Sequence, residues 1–295
     1  MTRDAHRLQT RSIDTPRGPL GCLDAHPPQD VPTRGHAVIA GGFLLGKELW
    51  VPTMLRLSRH GYRICAYDHL GLPDSPGPDD PDAYTLRALA EDMLAVARGL
   101  DDGNPVHLMG SCFGGFVART AVLHDPDAAR SLTLISSGTT LEESASPDLA
   151  DYVASTISSE GRQGLLDCVI GLLGQSPEGP PTLGRAFEVL KRNLFGSQLH
   201  HLTGFSRAVA SARFPTAPLR ELDLAKLVVY GTDDGIFTPE TQESMGRRIG
   251  ASPVAVDGAS HSPLLERPST STTVLKDFLD RETAQSVAAH ESATT

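Results

Sequence analysis

Cys112 stands between Gly110-Ser111 and Phe113-Gly114 at the end of the apolar run Val106-His107-Leu108-Met109. The pattern Gly-x-nucleophile-x-Gly places its central residue on a sharp strand-to-helix turn, where only small neighbours fit around a strained backbone. A thiol there implies covalent chemistry, because a few per cent is already thiolate near neutrality and a neighbouring imidazole increases that fraction. Such chemistry needs a base, a carboxylate to orient the base, and hydrogen-bond donors for a developing oxyanion. Leu227-Val228-Val229-Tyr230 runs into Gly231-Thr232-Asp233-Asp234, and Val254-Ala255-Val256 leads through Asp257-Gly258-Ala259-Ser260 to His261. Both acidic and imidazole candidates therefore follow strand-like runs, at the edge where open parallel sheets collect their active sites. Upstream, Val38-Ile39-Ala40 ends in Gly41-Gly42-Phe43, so the Phe43 amide, with that of Phe113, is the candidate oxyanion hole. Each residue has a plainer reading: Cys112 as a small core hydrophobe, the aspartates as turn formers, His261 as a surface histidine. Their coincidence at strand ends, in this chain order, favours catalysis, with Asp234 and Asp233 both open as the carboxylate and Asp257 a lesser candidate. Gly42, Leu44, Trp50 and Ser111 are candidate substrate contacts, although Trp50 shares helical spacing with Met54, Leu55 and Leu57 and suits core packing better.

The elements that must carry these residues are legible in the hydrophobic pattern. Leu8–Asp14 and Leu20–Ala25, joined by Thr15-Pro16-Arg17-Gly18-Pro19, predict an antiparallel hairpin. Short apolar runs at Ala37–Ala40, Ile64–Tyr67, Val106–Met109, Leu132–Ile135, Leu227–Tyr230 and Val254–Val256 suit strands buried on both faces. Helical periodicity between them predicts an α/β architecture with a mostly parallel sheet of eight strands. Residues 138–222 break this alternation and carry apolar stretches around Tyr152-Val153, Leu165–Leu173 and Phe187–Leu194, divided by Gln175–Pro181. They read as a helical lid, between a first core segment over 1–137 and a second over 223–282. The small, polar segment 283–295 is expected to be a disordered tail.

Taken together, the motifs resemble the α/β-hydrolase superfamily, in its lidded subgroup of small esterases and thioesterases. The resemblance runs from Leu8 to Arg281 and rests on Gly41-Gly42-Phe43, Tyr67-Asp68-His69-Leu70-Gly71 through Ser75, the elbow, Gly231-x-x-Asp234 with Pro239, and Gly258-Ala259-Ser260-His261-Ser262-Pro263. It implies Cys112 as nucleophile, Asp234 as acid and His261 as base; Asp68 reads by turn chemistry as a turn-stabilising residue rather than a catalytic one. The family's usual His-Gly is Gly41-Gly42 here, the usual arginine of the Asp68 loop is Leu70, and the usual serine is Cys112.

A formal charge of −10 and no basic run longer than Arg247-Arg248 argue against nucleic acid or an anionic membrane as partner. The N-terminus lacks the apolar core of a signal peptide and no apolar stretch is long enough to span a bilayer, so a cytoplasmic enzyme is expected. Cys22, Cys65 and Cys168 fall in strand-like or helical apolar stretches and read as core residues, without metal-ligand spacing. No metal or cofactor is called for. A cysteine nucleophile would carry its acyl group as a thioester, so thioesters of coenzyme A or of a carrier protein, activated esters and lactones of a mainly apolar small molecule are the expected substrates. Hydrolysis, acyl transfer or cyclisation could follow. A lyase that uses His261 as base, with Cys112 only shaping the pocket, is the alternative; a ligand receptor is a third reading.

Overall fold

Strands β1 (Leu8–Thr15) and β2 (Gly18–Ala25) form the expected antiparallel hairpin, with Thr15 opposite Gly18 across its turn. The computed structural model describes residues 8–100, 104–140, 148–173 and 180–293. After the hairpin come β3 (Gly35–Ala40), β4 (Tyr62–Tyr67), β5 (Val106–Ser111), β6 (Ala129–Ile135), β7 (Ala225–Gly231) and β8 (Ser252–Val256). They build one eight-stranded sheet in the order β1-β2-β4-β3-β5-β6-β7-β8. β2 joins β4 antiparallel, and every pair from β4 to β8 is parallel.

Side chains alternate across this sheet, as successive strand residues must. Val38, Ala40, Leu108, Val228 and Tyr230 enter one apolar cluster, together with α2 (Leu86–Arg98), α3 (Phe113–His124) and α8 (Pro239–Ile249). Ala37, Ile39, Met109, Leu227 and Val229 enter the opposite one, with α1 (Val51–Ser58), α9 (Pro263–Glu266) and α10 (Pro268–Ala293). Covering both faces explains why the strands read as continuous apolar runs. Cys22 and Cys65 are buried in β2 and β4; the side chain of Cys168 lies outside the described residues.

Between β6 and β7 the chain departs from the sheet into α4 (Leu149–Leu173), α5 (Pro180–Gly196), α6 (Leu199–Ala210) and α7 (Thr216–Glu221). α4 is interrupted at Gly161, whose φ of 66° and ψ of −156° no helix contains. A third apolar cluster joins Leu165 and Leu166 of α4, Leu190 and Leu194 of α5 and Leu202 of α6 to Leu44 and Leu72 of the core. Most of the expected divider at 175–181 lies outside the described residues, as do the side chains from Val169 to Leu173. One expectation is corrected at the C-terminus. The backbone is helical through Ala293, because α10 continues from the buried Leu275, Phe278 and Leu279 into a run of alanine, glutamate and glutamine that favours helix.

Candidate active site

β5 stops at Ser111, and Cys112 takes φ 52° and ψ −118° before α3 begins at Phe113. A positive φ at a residue with a Cβ costs on the order of 1–3 kcal/mol and persists only where surrounding contacts enforce it. Here the Cys112 amide donates to Ile135 O at 2.8 Å, keeping the turn on the neighbouring strand, and Cys112 O accepts from the Gly115 amide at 3.1 Å. The crossing of strand and helix is close: a Cβ at Gly110 would lie 2.1 Å from Gly114 O, and one at Gly114 would lie 2.2 Å from Ala40 O. Cys112 is partly exposed and sits at the N-terminal, amide-rich end of α3.

His261 lies beyond β8, and its Nδ1 is 3.0 and 3.1 Å from the two carboxylate oxygens of Asp234, beyond β7. Asp234 Oδ1 also accepts from the amides of Ile236 (2.9 Å) and Phe237 (3.1 Å), and Oδ2 from Gln242 Nε2 of α8 (3.0 Å). Burial would raise the Asp234 pKa, but His261 and the two amides outweigh it and hold the carboxyl below its ordinary value. Asp233 and Asp257 are exposed, so Asp234 is the carboxylate the fold brings to the imidazole. Burial likewise lowers the His261 pKa; the charges of Cys112 and Asp234 prevail and lift it well above the usual imidazole value. No oxygen or nitrogen partner satisfies His261 Nε2 among the described residues. Cys112 lies close enough for its charge to act on this ring.

Glu266 of α9 brackets this histidine. Its carboxylate accepts from the amides of Ser260 (2.7 Å) and Ser262 (2.8 Å), one residue to each side of His261. Neither Glu266 nor Gln242 was singled out in the sequence. Their only signal is proximity in the chain, five residues after His261 and eight after Asp234.

The turn after β3 faces the elbow. Gly42 O accepts from the Leu45 amide at 3.1 Å, and a planar trans peptide therefore directs the Phe43 N–H the opposite way. A Cβ on Gly42 would lie 2.9 Å from Cys112 Cβ, which measures how closely the turn approaches the thiol. Leu44 has a φ of 60°, is buried with the leucines of α4 to α6, and its carbonyl accepts from Asn193 Nδ2 of α5 at 3.0 Å. Ser111 is buried directly beneath the elbow. Trp50 is not a substrate wall: at 2 % exposure it packs with Met54, Leu57 and Leu275 on the α1/α10 face, which its helical spacing favoured. Phe205 of α6, unremarked in the sequence, closes on both candidate oxyanion residues, its ring centre 4.3 Å from that of Phe113 and 6.3 Å from that of Phe43.

Below this turn, Glu48, Asp68 and Asp74 bring three carboxylates within 4.8 Å of one another. They surround the buried ammonium of Lys47, at 2.5 Å from Asp68, 2.6 Å from Asp74 and 3.4 Å from Glu48. The position a cation would take is filled by the chain itself. The Lys47 amide donates to the second Asp68 oxygen at 2.9 Å, so Asp68 ties the end of the turn to the loop after β4.

A family model described as alpha/beta hydrolase fold matches residues 37–168. The chain has the α/β-hydrolase fold. The chain is 25% identical over 77% of its length to a non-heme chloroperoxidase of Streptomyces lividans, covering 85% of that protein. It is 28% identical over 70% of its length to a pimeloyl-[acyl-carrier protein] methyl ester esterase of Neisseria meningitidis, covering 67% of that protein. In fold it is similar to an enol-lactonase from Burkholderia xenovorans LB400, with TM-score 0.77 and 20% identity over 92% of this chain and all of that one. An esterase from Exiguobacterium antarcticum gives TM-score 0.76 and 19% identity, over 92% and 100% of the two chains. No helix of the described residues is long and apolar enough to cross a membrane.

Proposed function

We propose that this α/β-hydrolase processes acyl groups through a covalent thioester on Cys112, with His261 and Asp234 completing a Cys-His-Asp triad. The observation that carries this reading is the thiol itself, at a strained elbow beside an imidazole whose proton affinity is raised by Cys112 and Asp234. Such a pair lets the Cys112 proton pass to the imidazole before attack. The Cys112 sulfur attacks the substrate carbonyl carbon, and the amides of Phe43 and Phe113 donate to the oxyanion that forms. As the tetrahedral adduct collapses, the bond to the leaving group breaks and His261 Nε2 protonates that group. Water, or the hydroxyl or amine of an acceptor, then loses its proton to His261 and attacks the thioester, releasing the product and regenerating the thiolate.

Exchange of one thioester for another is nearly isoenergetic, whereas forming a thioester from an ordinary alkyl ester is uphill. Thioesters, activated esters and lactones of a small, mainly apolar molecule are therefore the donors this nucleophile favours. The similarity to an esterase of an acyl-carrier-protein ester supports presentation on a carrier protein or coenzyme A. The helices within 138–222 serve as the lid: α5 and α6 reach the oxyanion turn through Asn193 and Phe205 and limit the access of water to the thioester. A nucleophile that has to stay reduced suits the cytoplasm.

Intact-protein mass spectrometry after incubation with a panel of acyl thioesters and activated esters tests the reading. An acyl-sized increase is expected on the wild type, mapped to Cys112, longer-lived in His261→Ala and absent from Cys112→Ala. Turnover should fall by about 10³-fold or more in Cys112→Ala. Consumption of substrate by Cys112→Ala at the wild-type rate would overturn covalent catalysis and favour elimination with His261 as base.

A further inference from the structure

His69, just after β4, is fully buried, and among the described residues its side chain has a single hydrogen bond: Nε2 lies 3.1 Å from Gly41 O. Nδ1 is buried without a partner among the described residues. A carbonyl only accepts, so Nε2 carries the proton and Nδ1 does not. The ring is set by edge contacts with Tyr67 (5.1 Å between centres), Phe205 (5.0 Å) and Phe113 (6.4 Å), the last being the residue after Cys112.

We infer that His69 is a positioning residue for the oxyanion hole, acting as a neutral Nε2–H donor that fixes the Gly41 carbonyl and so aims the Phe43 amide at the Cys112 adduct. This rests on the proposed acyl chemistry at Cys112. The geometry is a relay of two peptide planes. His69 fixes the Gly41–Gly42 peptide through Gly41 O, and the Leu45 amide fixes the Gly42–Phe43 peptide through Gly42 O. With both carbonyls held, the Phe43 N–H has one direction left, away from Gly42 O. Residue 41 can bring no side chain of its own to this task, because a Cβ there would lie 2.2 Å from Leu45 O. An imidazole supplied from the next strand's loop does so instead. Burial lowers the His69 pKa to about 4, with the Gly41 hydrogen bond opposing it. The ring consequently stays neutral over the working range and places no cation beside the oxyanion hole, where it would compete with His261 for the thiolate.

Two reactions of the same sulfur separate aiming from general damage. Acylation of Cys112 by an activated ester passes through an oxyanion; alkylation by iodoacetamide needs the thiolate and no oxyanion hole. In His69→Leu the acylation rate is expected to fall about 10- to 100-fold, with alkylation within about twofold of wild type. His69→Gln, whose amide N–H can occupy the place of Nε2–H, should regain acylation to within about fivefold. A parallel fall of both reactions, an unchanged acylation rate in His69→Leu, or no recovery in His69→Gln overturns the inference. Nitrogen NMR of the intact wild-type protein at pH 7 provides a check that needs no variant: the His69 ring is expected as the Nε2–H tautomer, and an Nδ1–H or doubly protonated ring overturns the role. Should wild-type Cys112 take alkyl but no acyl groups, the proposed function fails, while the tautomer still decides whether His69 donates to Gly41.

Discussion

At the edge of the sheet, Asp234 receives two backbone amides, a glutamine amide and the His261 ring, and Glu266 clasps the amides on both sides of that histidine. The helical insertion meets the same edge with a larger apolar share, through a leucine cluster around Leu44 and the ring of Phe205, alongside directional contacts from Asn193 to Leu44 O, Arg192 to Glu48 and Gln198 to Gly71 and Gly77. Directional bonds fix atoms to within fractions of an ångström, whereas apolar contacts hold surfaces together and still let them slide. In the proposed mechanism, the acid and base sit on the first kind of support. The helices proposed to admit or exclude a substrate add much of the second.

The strongest way to break this contrast is Asp234→Asn. It keeps the size of the side chain but can turn an amide N–H toward His261 Nδ1, favouring the wrong tautomer. Acylation of Cys112 should drop by about 10²- to 10⁴-fold, with circular dichroism unchanged. A drop below tenfold would mean that His261 is oriented from elsewhere.

The next test sets one buried histidine in each region against the other. Burial lowers both His107 of β5 and His201 of α6 to about 3. An unfolded chain takes up those protons first, near the ordinary imidazole value of 6.5. The stabilisation is therefore complete above about pH 6.5 and is lost as pH falls toward 3, by roughly 5 kcal/mol per histidine over the whole window. If the insertion is the looser region, hydrogen exchange at residues 199–210 should accelerate between pH 6 and 4 before exchange at 106–111 does. Simultaneous acceleration would make sheet and insertion one cooperative unit and remove the contrast.

Asn193→Ala gives the smallest effect. It leaves Leu44 O without its donor, at a cost of about 1 kcal/mol in stability. KM should change a few-fold while the acylation rate at saturation stays within about twofold. A large fall in that rate with KM unchanged would move Asn193 from substrate admission to the chemical step.

The same division governs what could be read from the sequence. Six of the eight strands stand where short apolar runs placed them and the first two where alternating segments did, and Cys112, Asp234 and His261 stood out as candidates because each follows such a run. Burial on two faces, turn chemistry and chain order are local signals. The supports are not. Glu266 and Gln242 act through single hydrogen bonds that no periodicity announces, and His69 reaches Gly41 from 28 residues away in sequence. α6 also escaped notice, because its buried face combines His201 with Leu202, Phe205 and Ala208, and a histidine at a core position interrupts the apolar pattern. Trp50 shows the reverse: an aromatic near the site whose helical spacing already marked it for the core.

Lys47 has one further consequence. A carboxylate cage built for an ion is ordinarily at the mercy of the surrounding solution, filling and emptying with concentration and giving way to chelators. Here the ion is tethered by its own side chain, so its local concentration is fixed by the covalent chain rather than by the medium. The loop that carries the candidate oxyanion turn is thereby insulated from changes in divalent metal. Replacing that ammonium by an uncharged group of similar length would transfer the dependence outward and make the turn's stability a function of whatever dissolved cation the three carboxylates could recruit.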